Sequence, residues 1–184
     1  PGDGVRLSDS TGELELVTVE RNGGRGIAAE KNAEVKLRAT QITDNSEEGI
    51  GVDGASVEMR ASDVSGNGTS GVVANDAKIL IDESSISDHR ADGVALRASS
   101  AEVVDSEISD NGEFGIRGES GSTCRVSSSV LTGNDSGGVH LDSAAIDVVA
   151  GELRSNGGNG ITANSGIVNL SQASVIVDHP QDAL

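Results

Sequence analysis

Apolar residues in this chain fall two apart in short runs, and the runs return at a fixed distance. Ile50/Val52, Val57/Met59 and Val64 are matched two repeats later by Val94/Leu96, Ala101/Val103 and Ile108. Spacing by two is strand periodicity, with alternate side chains on one face. Between the runs lies a polar motif, Asn-x-x-x-Gly followed by Ile or Val. It reads Asn45-Ser-Glu-Glu-Gly49-Ile50 and Asn111-Gly-Glu-Phe-Gly115-Ile116, and its Gly falls at 4, 26, 49, 71, 93, 115, 138 and 160. Successive glycines are 22 or 23 residues apart, a period that means stacked structural repeats.

Every column repeats at this constant spacing, so successive repeats must lie parallel and in register. The pattern predicts an all-β solenoid, a parallel β-helix of about eight coils with three short strands each. At ~4.8 Å per coil the rod would be roughly 38 Å long. One domain, residues 1–184, is expected, with regular coils over 4–178 and irregular ends at 1–16 and 179–184. Inside, like aliphatics stack on like: Val19, Ile42, Val64, Ile86, Ile108, Leu131, Leu153 and Val175 form one such column. A ladder of stacked side chains is expected at Asn22, Asn45, Asn67, His89, Asn111, Asn134 and Asn156, continued by Asp178. A second polar column, Thr40, Ser62, Ser84, Ser106 and Ser129, predicts a hydroxyl ladder. The motif Gly serves either a positive φ or the close approach of the next coil. In the two longer coils the extra residue falls between Gly and Asn, away from the four-residue corner.

These segments resemble the right-handed parallel β-helix repeat shared by pectate lyases, polygalacturonases, alginate epimerases and some F-box protein domains. The likeness runs from about residue 4 to 178 and implies a right-handed solenoid. It implies no single activity, because the fold serves both polysaccharide enzymes and non-catalytic scaffolds. The catalytic signatures of the enzymes are not carried over: there is no Asn-Thr-Asp, no Arg-x-Pro-x-x-Arg and no Asp-Pro-His-Asp. No coil departs from the period by more than one residue, so the long loops that build substrate clefts have no place here.

Composition narrows the core and the partners. One Phe and no Trp or Tyr exclude an aromatic core, but not one of stacked aliphatics. A net charge of −17 argues against nucleic acid, and would repel polyuronates unless a divalent cation bridged them. No apolar run reaches the length of a membrane span. The single Cys124 lies in an inward column and reads as a small buried hydrophobe. Opening on Pro1, the chain is expected to be a processed product or an excised segment. A secreted or cell-surface setting is expected.

Two clusters could carry chemistry. Alternation places Arg117, Glu119, His140 and Asp142 on one outward face, where a His beside carboxylates and Arg could do acid–base work on a sugar acid. The same four residues equally read as exposed cross-strand charge pairs. Asp88, Asp92 and Asp110 lie near one turn beside His89 and could offer oxygen ligands to Ca²⁺. No other cofactor is implied. Phe114 is expected to plug a turn by packing. The leading expectation is a non-catalytic scaffold, spacer or interaction module, meeting protein partners, flanking domains or its own copies through open solenoid ends. The alternative is a degenerate or truncated lyase, epimerase or hydrolase acting on uronate-type glycans.

Overall fold

The computed structural model describes residues 2–180, and they form a three-sided parallel β-solenoid. Twenty-four strands fall into three eight-stranded sheets, each taking one strand from every coil in order. A typical coil runs Val72–Asn75, Lys78–Asp82 and Ser85–Ser87, with two-residue corners between these strands and a longer turn, residues 88–93, into the next coil. All pairing is parallel and in register at the repeat period: Val72 lies between Ile50 and Val94, and Ile81 between Met59 and Val103. Between the end coils the inward columns are closed to solvent. Ile27, Leu37, Ile42, Ile86, Ile108 and Leu131 are fully buried, each lying on its own equivalent. Such burial contributes about 1.5–3 kcal/mol per side chain before conformational entropy is subtracted.

The corners share one device. Each opens with a residue in the left-handed region, such as Asp76 and Ala98 at the first corner, Ala61 and Glu83 at the second, and Asp44 and Asp88 at the third. One such residue turns the chain through the corner. In the two longer coils the insertion lies at the first corner, where Lys31 and Asn32, and later Ser120 and Gly121, are left-handed in succession. The next residue then satisfies the exposed backbone groups. At the second corner the hydroxyls form the expected ladder: Ser84 Oγ accepts the Ser62 amide at 3.1 Å and donates to the Asp82 carbonyl at 2.7 Å. Ser106 repeats both bonds one coil on.

At the third corner an amide ladder runs from Asn22 to Asn67 and resumes at Asn111. The Asn45 side-chain NH₂ donates to Asn67 Oδ1 at 2.9 Å, and its second hydrogen reaches back to the Val19 carbonyl at 3.2 Å. Asn111, Asn134 and Asn156 continue it, with amide-to-amide bonds of 2.8 and 2.9 Å. His89 takes one rung with an imidazole. Its Nδ1 accepts the Asn67 amide at 3.1 Å and its Nε2 faces the Val64 carbonyl at 3.0 Å. That pairing fixes the neutral tautomer with the proton on Nε2. Burial accordingly pushes the His89 pKa down to about 4, against smaller opposing contributions from the Val64 carbonyl and Asp88.

The motif glycines are explained by close approach. None of them has a positive φ. A Cβ on Gly93 would lie 2.5 Å from Ile108 Cγ2, 2.7 Å from the Gly115 carbonyl and 2.9 Å from Asn111 Nδ2.

The two ends depart from expectation. The first coil is more regular than its sequence suggests: Thr11–Glu15 pairs fully with Glu34–Arg38, and Leu7 leans over Gly12. In the last coil the register is displaced by one residue. Leu153 pairs with Ile176, not Val175, and the ladder position is held by His179, whose Nε2 meets the Leu153 carbonyl at 3.2 Å, not by Asp178. The cause is one more corner residue, since Gln172 and Ala173 are both left-handed. Residues 181–184 of the expected irregular end lie outside the described residues.

Two outcomes follow from this packing. Gly93→Ala should lower stability by about 3 kcal/mol, because Ile108, Asn111 and the next backbone must all yield; an unchanged urea midpoint would contradict the close-approach account. Between pH 6.5 and about 4 the unfolded His89 binds a proton that the folded one refuses, so stability falls on acidification through that window. The loss approaches about 3 kcal/mol. His89→Asn restores an amide rung and should be less acid-sensitive than wild type by that amount, measured by denaturation at pH 7 and 4.5. Parallel pH profiles would show that His89 is not buried neutral.

Candidate functional site

The outward face of the first sheet brings the sequence candidates together. Arg117 is the register partner of His140, and Glu119 of Asp142, so the four form a two-by-two patch on adjacent strands Phe114–Glu119 and Gly137–Asp142. Their side chains are engaged within the protein. Arg117 Nε donates to Asp92 Oδ2 at 2.7 Å, and a second guanidinium nitrogen pairs with Glu113. The other Asp92 oxygen accepts the Phe114 amide at 3.0 Å. The Arg117 guanidinium lies 4.9 Å above the Phe114 ring, which stacks on His140 at 4.9 Å between centroids. Phe114 also sits over Gly137, where a Cβ would come within 3.2 Å of its ring. Glu119 accepts from Arg97 at 3.2 Å, and Asp142 from the Ser143 hydroxyl at 3.4 Å.

Asp92 is the unusual charge. Its side chain is only 7% exposed, and burial raises its pKa, while the Arg117 and Phe114 donors work in the opposite direction. Burial also opposes the Arg117 charge, but Asp92 and Glu113 outweigh it and hold that pKa above its ordinary value. The pair is therefore a partly buried ion pair whose members depend on each other. Beside it a shallow depression of about 350 Å³ is floored by Val73 and Ala95 and walled by Asn75, Arg97, Arg117 and Glu119.

Asp92, Glu113 and Phe114 were not legible as members of this face. They occupy the turn before Gly, which as sequence reads as solvated loop. Asp92 and Phe114 share one column, the position just before a motif Gly, and Phe114 folds over Gly137 of the next coil. Arg25 does the same, lying over Gly51 with its Nε 2.5 Å from Glu48.

Asp88, Asp92 and Asp110, the residues that could have offered oxygen ligands to Ca²⁺, do not converge on one point. Among the described residues no three His, Cys, Asp or Glu side chains come close enough to hold a metal ion. Asp88 and Asp110 are corner residues in the left-handed region, which Asp tolerates better than most residues. Asp92 points instead to Arg117 and the Phe114 amide. Cys124 is buried in register between Ala101 and Ile146, and burial pushes its thiol up to about 12, so it carries no thiolate at neutral pH.

Two open grooves run along the corners. One is floored by the hydroxyl ladder and rimmed by Asp63, Glu83, Asp105 and Glu107. The other is lined by small residues including Ala55, Ala77 and Ser99. Neither brings together three His, Cys, Asp or Glu side chains close enough to hold a metal ion among the described residues.

Comparison with solved structures finds the same solenoid in two epimerases and a phage tailspike. A mutant of the periplasmic alginate epimerase AlgG superposes with a TM-score of 0.81 at 19% identity, over 95% of this chain and 48% of that one. The mannuronan C-5 epimerase AlgE4 A-module of Azotobacter vinelandii gives 0.55 at 16% identity, over 96% and 57%. Tailspike protein 2 of an Escherichia coli O157:H7 bacteriophage gives 0.60 at 10% identity, over 92% and 34%. At these identities the likeness is one of fold, and the chain spans about half the length of the epimerases. No curated protein sequence matches the chain. The family model described as "Right handed beta helix region" matches residues 3–151, and the chain therefore belongs to the right-handed β-helix family.

Proposed function

We propose that this chain is a non-catalytic β-helical scaffold, a rigid rod that carries interaction surfaces. One observation supports this reading above the others: on the face where Arg, His and carboxylates meet, the charged groups are engaged by neighbours inside the protein. Arg117 is shared by Asp92 and Glu113, Glu119 takes Arg97, and His140 lies against Phe114. A general base needs a free lone pair within reach of a substrate proton, in a site that holds the substrate still. The face offers only a shallow open depression. In this reading the Arg117–Asp92 pair serves stability, and its loss leaves Asp92 buried without its cation.

A second reading is favoured by a specific pairing. The AlgG and AlgE4 structures are those of alginate epimerases, and this chain sets Arg117 beside His140 on an exposed sheet face. A uronate carboxylate could meet such a pair.

The two readings separate experimentally. Incubation with alginate, pectate and related uronates, with and without Ca²⁺, should leave chain length and epimer composition unchanged by viscometry and proton NMR. Turnover that vanishes in His140→Ala would replace the scaffold reading with the enzymatic one. On the scaffold reading, Arg117→Ala should lower stability by about 2 kcal/mol through the orphaned Asp92. A fully stable Arg117→Ala protein would remove the structural explanation for that pair.

A further inference from the structure

The ladder rung at His89 is joined to its neighbours less fully than the others. Asn22 bonds Asn45 through its side-chain amide, and in the same way Asn45 bonds Asn67, Asn111 bonds Asn134 and Asn134 bonds Asn156. On both sides of His89 that bond is missing. Asn67 turns its NH₂ to the Ile42 and Ser65 carbonyls, and the imidazole, its one N–H committed to Val64, has none to offer Asn111. A backbone bond is missing too. The residue after a rung donates to the carbonyl of the rung before at Ser46, Gly68, Gly112, Asp135 and Gly157, over 2.8–3.0 Å. Arg90, in the same position, makes no such bond to Asn67.

The turn at residues 88–93 is held to the coil before it by the Ala91 amide on Thr69, by the Gly71 amide on the Asp92 carbonyl, and by the two ring nitrogens of His89. A doubly protonated ring has no lone pair on Nδ1, so it cannot accept the Asn67 amide, which would be left buried and unpaired. The same turn carries Asp92 three residues on, and Asp92 reaches forward to the Phe114 amide and to Arg117 Nε. Loosening the turn at His89 therefore withdraws the buried partner of Arg117.

We propose that residues 88–92 form an acid-released latch: protonation of His89 frees this turn from the rod, takes Asp92 away from Arg117 and releases the guanidinium on the outward face, while the coils on either side stay folded. Glu113, the second partner of Arg117, belongs to the next turn and remains in place. The groups around His89 set the sign. Burial pushes the closed ring down to about 4, against Asp88 on its own turn and Asp63 on the coil before. Arg90 beside it and Asp110 at the next corner are both exposed. A hydrated ring in the open turn titrates at its ordinary 6.5. The open turn thus binds a proton that the closed one refuses, and opening grows as pH falls from 6.5 towards 4. Between pH 7 and 5, His89 alone raises the open fraction about twenty-fold. Burial raises the Asp92 pKa, so that carboxyl works the other way and favours closure, but a proton taken up there also ends its charge pairing with Arg117. The latch rests on neither reading of the outward face.

Hydrogen exchange of the 184-residue chain, followed by NMR at pH 7 and 5 and divided by intrinsic rates, separates local release from general unfolding. The Asn67, Ala91 and Phe114 amides and the Arg117 Nε proton should exchange about twenty-fold faster at the lower pH. The amides of Val57 and Val126, in the middle of the second sheet, should not. In His89→Asn the acceleration should vanish, because an amide rung has no proton to gain in this range. If that variant folds poorly, the wild-type contrast between turn and sheet decides alone. Equal acceleration in turn and sheet would mean global unfolding and overturn the latch. So would an Arg117 Nε proton that stays protected while the turn opens, an acceleration that persists in His89→Asn, or none at all.

Discussion

Successive coils of this protein lie one strand spacing apart, about 4.8 Å, and each residue rests on its own equivalent. That single constraint decides what every inward column accepts. An aliphatic column accepts itself, as Ile42, Val64, Ile86 and Ile108 do. A polar column must both donate and accept along the rod axis. Asn meets this demand with one side chain, and the hydroxyl of Ser or Thr with another geometry. His89 meets it only when neutral, which ties one rung of the ladder to pH. Where the backbones themselves approach, only Gly fits.

Because the constraint repeats, much of the fold can be read from sequence. The Gly spacing gives the coil, alternation gives the strands, and the Asn and Ser columns mark two of the corners. The left-handed corner residues are not legible, since Ala39, Ala61, Glu83 and Asp105 occupy one such position with no chemistry in common. What selects them is the geometry of the corner, which constrains φ while the side chain points outward. The last coil misleads for a different reason. Val175, Ile176 and Val177 are all apolar, so the pattern cannot choose between registers one residue apart. A second left-handed residue at Gln172–Ala173 makes the choice.

The candidate face was half legible on the same logic. Alternation correctly sets Arg117 beside His140 and Glu119 beside Asp142, because position along a strand fixes the face. It says nothing about where long side chains turn. Arg117 reaches across to Asp92 in the preceding coil and to Glu113 four residues back. Asp92 had suggested a cation site together with Asp88 and Asp110, but corner geometry accounts for the latter two and the Arg117 pairing for Asp92.

The outward positions obey no such self-stacking rule, and this is why architecture and activity separate so cleanly in a solenoid. Several outward charges here join neighbours across coils, as in Arg6–Glu30 and Arg125–Asp147, both 2.7 Å. Such exposed pairs are worth about 0.2–1 kcal/mol each and keep a repetitive β-surface soluble. They need no ligand to explain them. Two features go beyond what solubility requires: the partly buried Asp92–Arg117 pair under Phe114, and the uncharged apolar coil at residues 155–177. The first is accounted for by interactions within the chain, since each oxygen of Asp92 has a donor. The second exposes Leu170 and Ile176, whose register partners Val148 and Leu153 are fully buried one coil earlier, so its apolar surface is the face on which one coil stacks upon another.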